Sequence, residues 1–479
     1  MLVLTASVYG FALAVLVAIG IQQLWLAAQR TRADGIPLPS EPPLFSGDGM
    51  SQVPSVTVQL PLYNEPAVAA RLLRAVAAFD YPLDRFDIQV LDDSTDDTTW
   101  IIEREIESLS AEGVRIQHIR RGSREGFKAG ALAAGLDRAR GEMIAIFDSD
   151  FVPPTDFLHR SVARLSLNPD LGLLQTRWAH LNAETGTLTR VQEAVLDAHF
   201  ATEQRGRALA GVWITFNGTA GIWRRKCIEE SGGWRADTLA EDLDLAYRAQ
   251  LAGWKLDFAE ELSAPAELPV TTAAWKAQQF RWAKGAAEVA RLRLRSVLRS
   301  RHTLRTKAAA TAHLLSVAAH PATLILVLLH APFLIFAQTL PSVVTASLAF
   351  GLIAFAGFLL SVLLAMRSLH FDWLLRAKMI PVVLAAMVGL SLSNGRAVLE
   401  GALGVRTPFV RTPKGSTERA DRLVEPAEAA LTLYAFVGLV LLIFARAWEG
   451  VPFQLLILAG FGFVAFPRLV RNPGGTARA

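Results

Sequence analysis

One cysteine, Cys227, occurs in 479 residues. A disulfide framework and a cysteine-rich metal centre are therefore excluded, and the lone thiol reads as a small buried hydrophobe. An excess of either charge is also missing: 48 Lys and Arg face 44 Asp and Glu, for a net charge of +4. So small a total points to no partner by itself. No nucleic-acid-binding motif is present, so nucleic acid is not an expected partner. The first apolar run, Leu2–Ala28, has no basic region ahead of it, whereas Arg30 and Arg32 come after it. A cleaved signal peptide carries the reverse charge order.

Apolar residues are abundant instead. They make up 52% of the chain, and mean hydropathy is +0.32. Residues 1–29 are long enough to cross a bilayer as one helix, and Arg30 and Arg32 assign residue 30 onward to the cytoplasm. Residues 30–54, rich in Pro, Gly and Ser, read as a linker. Residues 291–307 carry seven Arg or Lys and no acid, which predicts a helix lying on the membrane surface. A transmembrane region is expected over 308–470, with runs at 308–338, 342–366, 427–444 and 451–470. The short apolar stretch 379–392, basic on both flanks, suits a re-entrant or interfacial helix, so the crossings number five, or six if it spans. Residues 396–426 then form a cytosolic loop, and 471–479 a cytosolic tail.

Between 55 and 290 strand-like and helix-like patterns alternate. Val56–Leu62, Phe86–Leu91, Val114–Ile119 and Met143–Phe147 read as strands, with helices over Glu65–Phe79, Thr98–Leu109 and Lys128–Ala139. That alternation predicts a parallel sheet covered by helices on both faces, with ligands bound beyond the carboxyl ends of the strands. Those ends carry Tyr63-Asn64-Glu65, Asp92-Asp93-Ser94 and Asp148-Ser149-Asp150.

The last of these is the most informative. Ile144–Phe147 runs directly into two carboxylates separated by one serine, and strand alternation points both to one face. Two carboxylates at a strand end are what Mg²⁺ or Mn²⁺ bound to substrate phosphates requires; an acidic turn gives the same three letters. Asp92 and Asp93 suit hydrogen bonding to a nucleobase or ribose, although Ser94 or Thr95 as a helix cap explains part of that run. Gly126-Phe127-Lys128-Ala129-Gly130 opens a helix, so its N–H groups and Lys128 make an anion site or an ordinary turn. Tyr63 and Glu65 join the donor-binding candidates. Glu241, Asp242 and Asp244 place three acids in four positions at a helix start; Asp244 reads as a cap, and Asp242 as a base on the acceptor side. Gln278, Arg281 and Trp282 share one helix face. Arginine clamps a diphosphate and tryptophan packs against a sugar ring, although a membrane-docking face reads similarly.

Taken in order, these motifs resemble the family-2 glycosyltransferases of the cellulose-synthase superfamily, in particular the plant cellulose-synthase-like A and C proteins and their bacterial relatives. The likeness runs through Gln59–Glu65, Gln89–Thr95, Lys128–Leu132, Phe147–Phe151, Gln175–Trp178, Phe216–Gly221, Glu241–Leu245 and Gln278–Trp282, and covers about half the chain. It implies a GT-A, Rossmann-like α/β domain in the cytosol joined to transmembrane helices. It implies that Asp93, with Asp92 beside it, holds the base or ribose, and that Asp148 and Asp150 handle the donor diphosphate and its Mg²⁺ or Mn²⁺. Asp242 is implied as the catalytic base, and Gln278, Arg281 and Trp282 as the processive signature gripping diphosphate and chain end. Phe216, Asn217, Gly218 and Thr219, with Glu241, are implied near the acceptor. Phe409, Thr412 and Lys414 resemble a gating loop, with Arg411 where valine is expected; Ala240 replaces a common Thr or Val. The implied reaction is inverting transfer from UDP-glucose or GDP-mannose to a growing β-linked glycan, exported through the same chain. The alternative is a single transfer to a membrane lipid.

Overall fold

A computed structural model describes residues 2–32, 53–405 and 425–466. Its strands are β1 (Val56–Leu62), β2 (Phe86–Asp92), β3 (Ile116–Arg120), β4 (Met143–Ile146), β5 (Leu171–His180), β6 (Gly221–Arg224) and β7 (Lys255–Ala266). They form one sheet in the order β3-β2-β1-β4-β6-β5-β7. β1 is almost wholly buried, and it pairs in parallel with β2 and β4 on its two sides. Strands covered on both faces read as continuous apolar runs, which is why Val56, Val58 and Leu60 take no water. The exceptions are matched across the ladder. Thr57 Oγ1 donates to Asp87 at 3.0 Å, and Gln59 Nε2 donates to Gln89 Oε1 at 3.0 Å, in line with the register pairs Thr57–Asp87 and Gln59–Gln89.

The sheet is mixed, not all parallel as the alternation predicted. β6 runs antiparallel to both β4 and β5. It is only four residues long and returns between two helical stretches, so no period-2 pattern marks it. Helices Ala69–Ala77 and Phe157–Ser166 pack on one face with Leu72, Leu73, Phe157 and Val162, and helices Phe127–Leu136 and Glu241–Leu251 on the other with Leu132, Leu136 and Leu245.

Five helices among the described residues are long and apolar enough to cross a membrane: Val3–Arg32, Leu304–Ala337, Pro341–Leu369, Pro426–Phe444 and Trp448–Ala465. The short apolar stretch near 379 belongs to a bent pair, Trp373–Gly389 and Ser391–Leu403, meeting at 44°. The basic segment is not one surface helix. Its first part completes the long helix Thr272–Arg299, and after a break at residues 300–303 the rest opens the helix Leu304–Leu315.

Helix Thr272–Arg299 joins the two regions. Arg293 Nε donates to Asp244 at 2.5 Å, and Arg248 Nε reaches the other oxygen of Asp244 at 2.7 Å. Asp244 is 1% exposed, so it is a buried bracket between two helices and not merely a cap. Asp244→Ala takes the carboxylate from two guanidiniums, of which Arg248 keeps only the Ser231 and Gly233 carbonyls. It is expected to cost about 3 kcal/mol, read as a fall in the thermal unfolding midpoint, with Asp244→Asn losing less because it keeps an acceptor.

Candidate active site

The carboxyl ends of β1, β2 and β4 open onto a cavity of about 240 Å³. Tyr63, Glu65, Asp93, Lys128, Asp148, Asp150, Asn217, Gly218, Glu241, Asp242, Gln278, Arg281 and Trp282 all line it. Residues from well-separated stretches of chain thus meet where the sequence pattern expected a ligand.

The local geometry differs from the expected strand end. β4 stops at Ile146, level with the last β6 partner Gly221, so Asp148 and Asp150 lie in the turn beyond the strand. Strand alternation therefore does not aim them. Asp148 is set by its N–H, which donates to Thr219 Oγ1 at 2.8 Å, and the turn closes with the Phe151 N–H on Asp148 O at 3.1 Å. Lys128 Nζ donates to Asp148 Oδ1 at 2.6 Å and to the Gly218 carbonyl at 2.9 Å. Asp148 and Asp150 offer oxygen ligands only, beside a neutral serine, which fits a hard divalent ion and no softer one.

Asp92 and Asp93 separate in role. Asp93 lines the cavity, and Arg121 grips both its oxygens, with Nε on Oδ1 at 2.9 Å. Asp92 points away from the cavity and is 1% exposed. It accepts from the Ser94 N–H at 2.8 Å, Thr99 Oγ1 at 2.8 Å and His118 Nε2 at 3.0 Å. Burial alone would push its carboxyl up, but the bonds from His118, Ser94 and Thr99 outweigh that and hold it at about 2. It braces the loop that presents Asp93 and is not a donor ligand. Thr219 is likewise withdrawn from the acceptor set, because it is fully buried and spent on Asp148. Phe216 is a core residue against Trp223 and Trp234 and meets only a second cavity. Phe409, Thr412 and Lys414 lie outside the described residues.

Glu241 and Asp242 begin the helix Glu241–Leu251. Burial raises both carboxyls. Asp242 lifts Glu241 further, to about 7, while Asp242 reaches about 6 against the opposing charge of Lys128. Both side chains are half-buried and line the cavity. Lys128 stays protonated: burial works against its charge, but Asp148, Glu241 and Asp242 raise it above its ordinary value. Burial lowers Arg281 to about 10 although Asp148 opposes this, and it remains a cation at neutral pH. Gly218, at φ +83°, lies against Asp242, and a Cβ there would sit 2.9 Å from Asp242 Oδ2. The Trp282 ring stands 6.3 Å from Trp178, whose ring meets Phe151 at 5.4 Å.

Sequence reasoning passes over Arg121 and over Arg124, whose guanidinium stacks 3.3 Å from the Tyr63 ring centre. A signal was present: Arg120, Arg121 and Arg124 crowd the turn just before Gly126, the start of the anion-type helix. A second cavity, about 360 Å³, shares Trp178, Asn217, Asp242, Gln278 and Trp282 with the first. It continues to Gln23, Phe358 and Ser361 on the apolar helices.

Residues 54–285, which contain every residue that lines the first cavity, match the family described as "Glycosyltransferase like family 2". The chain is 44% identical over 256 residues to the probable glucomannan 4-beta-mannosyltransferase 7 of Oryza sativa subsp. japonica, covering 52% of this chain and 44% of that protein. It is 43% identical over 257 residues to glucomannan 4-beta-mannosyltransferase 2 of Arabidopsis thaliana, covering 53% and 48%. The chain thus spans about half the length of these relatives. Among solved structures, a mannosyltransferase from Pyrobaculum calidifontis in complex with GDP-Man and Mn²⁺ shares the fold, with a TM-score of 0.51 and 20% identity over 83% of this chain and all of that one.

Two outcomes are expected. Gly218→Ala displaces the Asp242 carboxylate and lowers sugar-transfer activity about 10²-fold, measured as initial rate on protein whose unfolding midpoint confirms folding. Asp92→Ala lowers that midpoint instead. Because the folded carboxyl lies below its unfolded value, the stabilisation is complete above pH ~4 and fades as pH falls through about 2, so the gap from wild type narrows on acidification.

Proposed function

Residues 54–285 match the family described as "Glycosyltransferase like family 2", and from that match we propose that the chain adds mannose from GDP-mannose to a β-linked glycan, with UDP-glucose as the competing donor. The mannosyl preference is supported by the activity for which the plant relatives are named. The observation that carries the reading is Asp242, which lines both the cavity holding Asp93, Asp148 and Arg281 and the one leading to the apolar helices. A single carboxylate thus faces a donor on one side and an acceptor on the other.

Asp93 accepts from the base or ribose, its oxygens fixed in direction by Arg121. Asp148 and Asp150 would hold Mg²⁺ or Mn²⁺, which would supply charge neutralisation at the departing diphosphate. Arg281 pairs with the same diphosphate through its planar N–H groups. Asp242 removes the proton from an acceptor hydroxyl as that oxygen attacks the anomeric carbon opposite the leaving group, so an α-linked donor gives a β-linked product. Trp282 and Trp178 pack against the acceptor ring, and Gln278 hydrogen-bonds its hydroxyls. Catalysis faces the cytoplasm, by the placement of Arg30 and Arg32 after the first apolar helix. The second cavity takes the glycan toward the membrane helices, because desolvating sugar hydroxyls in hydrocarbon costs kilocalories unless they are paired.

Asp242→Asn is expected to lower transfer about 10²–10⁴-fold while leaving the unfolding midpoint unchanged or higher, since it removes a carboxylate whose ionisation the fold disfavours. In the wild type, kcat/KM falls as pH drops below about 6, where Asp242 takes up a proton. Donor identity is read by supplying labelled GDP-mannose or UDP-glucose, with Mg²⁺ or Mn²⁺, to membranes containing the protein and digesting the product with mannanase or glucanase. Label resistant to both enzymes and recovered in a lipid extract overturns glycan synthesis.

A further inference from the structure

Away from the cleft, helix Thr187–Asp197 meets the chain that leaves the helix Pro341–Leu369. Glu193 and Asp197 are one helical turn apart and share a face, which is turned toward His370, the residue after that apolar helix. Their ligand atoms, a carboxylate oxygen each and one imidazole nitrogen, lie within 4.8 Å of one another. Asp197 is 2% exposed and Glu193 8%. His370 Nε2 is 2.7 Å from Asp197 Oδ2, and Arg376 Nη1 donates to Glu193 Oε2 at 2.6 Å. A pocket of about 80 Å³ opens here, room for an ion and a water.

Two further observations point to a cation. The carboxylates lining the pocket, Glu184, Glu193, Asp197 and Asp372, outnumber the guanidiniums Arg190 and Arg376 by two. Behind Asp197, the His180 side chain is 4% exposed, and its Nε2 stands 3.7 Å from Asp197 Oδ1 with no hydrogen-bond partner. That separation is too long for a hydrogen bond. An ion that draws Asp197 Oδ2 away from His370 leaves Oδ1 to take up the His180 N–H, the arrangement in which an outer partner orients a metal-bound carboxylate.

We propose that Glu193, Asp197 and His370 form a second metal site, separate from Asp148 and Asp150, that takes a divalent transition ion of the Zn²⁺ class and ties the transferase domain to the membrane helices. One imidazole and two carboxylates suit such an ion better than Mg²⁺ or Ca²⁺, which take oxygen. Glu193 binds through Oε1 and keeps Oε2 on Arg376, which holds the carboxylate in direction. A water fills the remaining position.

Full-length protein in detergent, stripped with a chelator and reloaded with Zn²⁺, tests this. Wild type is expected to retain one zinc equivalent through gel filtration and to gain a zinc-dependent rise in its unfolding midpoint. Asp150→Asn keeps both effects, whereas His370→Gln and Asp197→Asn lose at least tenfold in zinc affinity. Co²⁺ in place of Zn²⁺ gives a visible absorption band in wild type that His370→Gln lacks. If His370→Gln fails to fold, Glu193→Gln is read in its place. No retained zinc in wild type, or equal retention by His370→Gln and wild type, overturns the site.

Discussion

The close approach of the helix Thr272–Arg299 to the backbone at Leu239–Ala240 holds the cleft together. Gly285 makes that approach possible: a Cβ there would fall 2.8 Å from the Ala240 nitrogen. Glu288 then accepts from the Leu239 N–H at 2.8 Å, and Asp244 ties Arg293 to the neighbouring helix. With those contacts made, Gln278, Arg281 and Trp282 stand one to two turns before Gly285 and can only face the cavity that Glu241 and Asp242 border. The absence of a side chain at Ala240 larger than methyl belongs to the same constraint.

The same packing sets the charge state of the cleft. Seven carboxylates line one cavity, Asp148, Asp150, Glu241 and Asp242 among them, against Arg124, Lys128 and Arg281. Excluding water raises Asp242 and Glu241, and Lys128 donates to Asp148. A buried carboxyl whose ionisation its surroundings disfavour is unfavourable for the fold, and groups so perturbed cluster at functional sites. Asp92, one residue from Asp93, is the counterexample: hydrogen bonds to its charged form drive it the other way, and it serves the loop alone.

Between the domain and the apolar helices, Val191 and Trp275 share one apolar cluster with Val362 and Val383, and specific polar bonds add to it. Arg30 Nε donates to the Ala201 carbonyl at 3.1 Å, Thr202 Oγ1 to Ser361 O at 2.8 Å, and Lys284 Nζ to Val405 O at 2.6 Å. Arg376 and His370 add the contacts to Glu193 and Asp197. Such pairs fix orientation more than they add free energy. They keep the cavity that contains Asp242 in register with the one that reaches Phe358 and Ser361.

The amino-acid sequence by itself determined the strands β1 to β4, the apolar helices and most cavity residues, because buried parallel strands and membrane helices leave continuous apolar runs and strand ends in such sheets face ligands. Four matters were decided only by tertiary structure. β6 runs antiparallel because a four-residue strand takes its direction from its neighbours. Asp148 and Asp150 are aimed by a turn hung on Thr219, 71 residues away, which no local period records. Asp92 and Asp93 look alike in text, yet one meets His118 and the other Arg121, and only the packing of β3 beside β2 assigns those partners. Glu193, Asp197 and His370 converge from two regions 173 residues apart, and a convergence of that kind has no signature until the chain has folded.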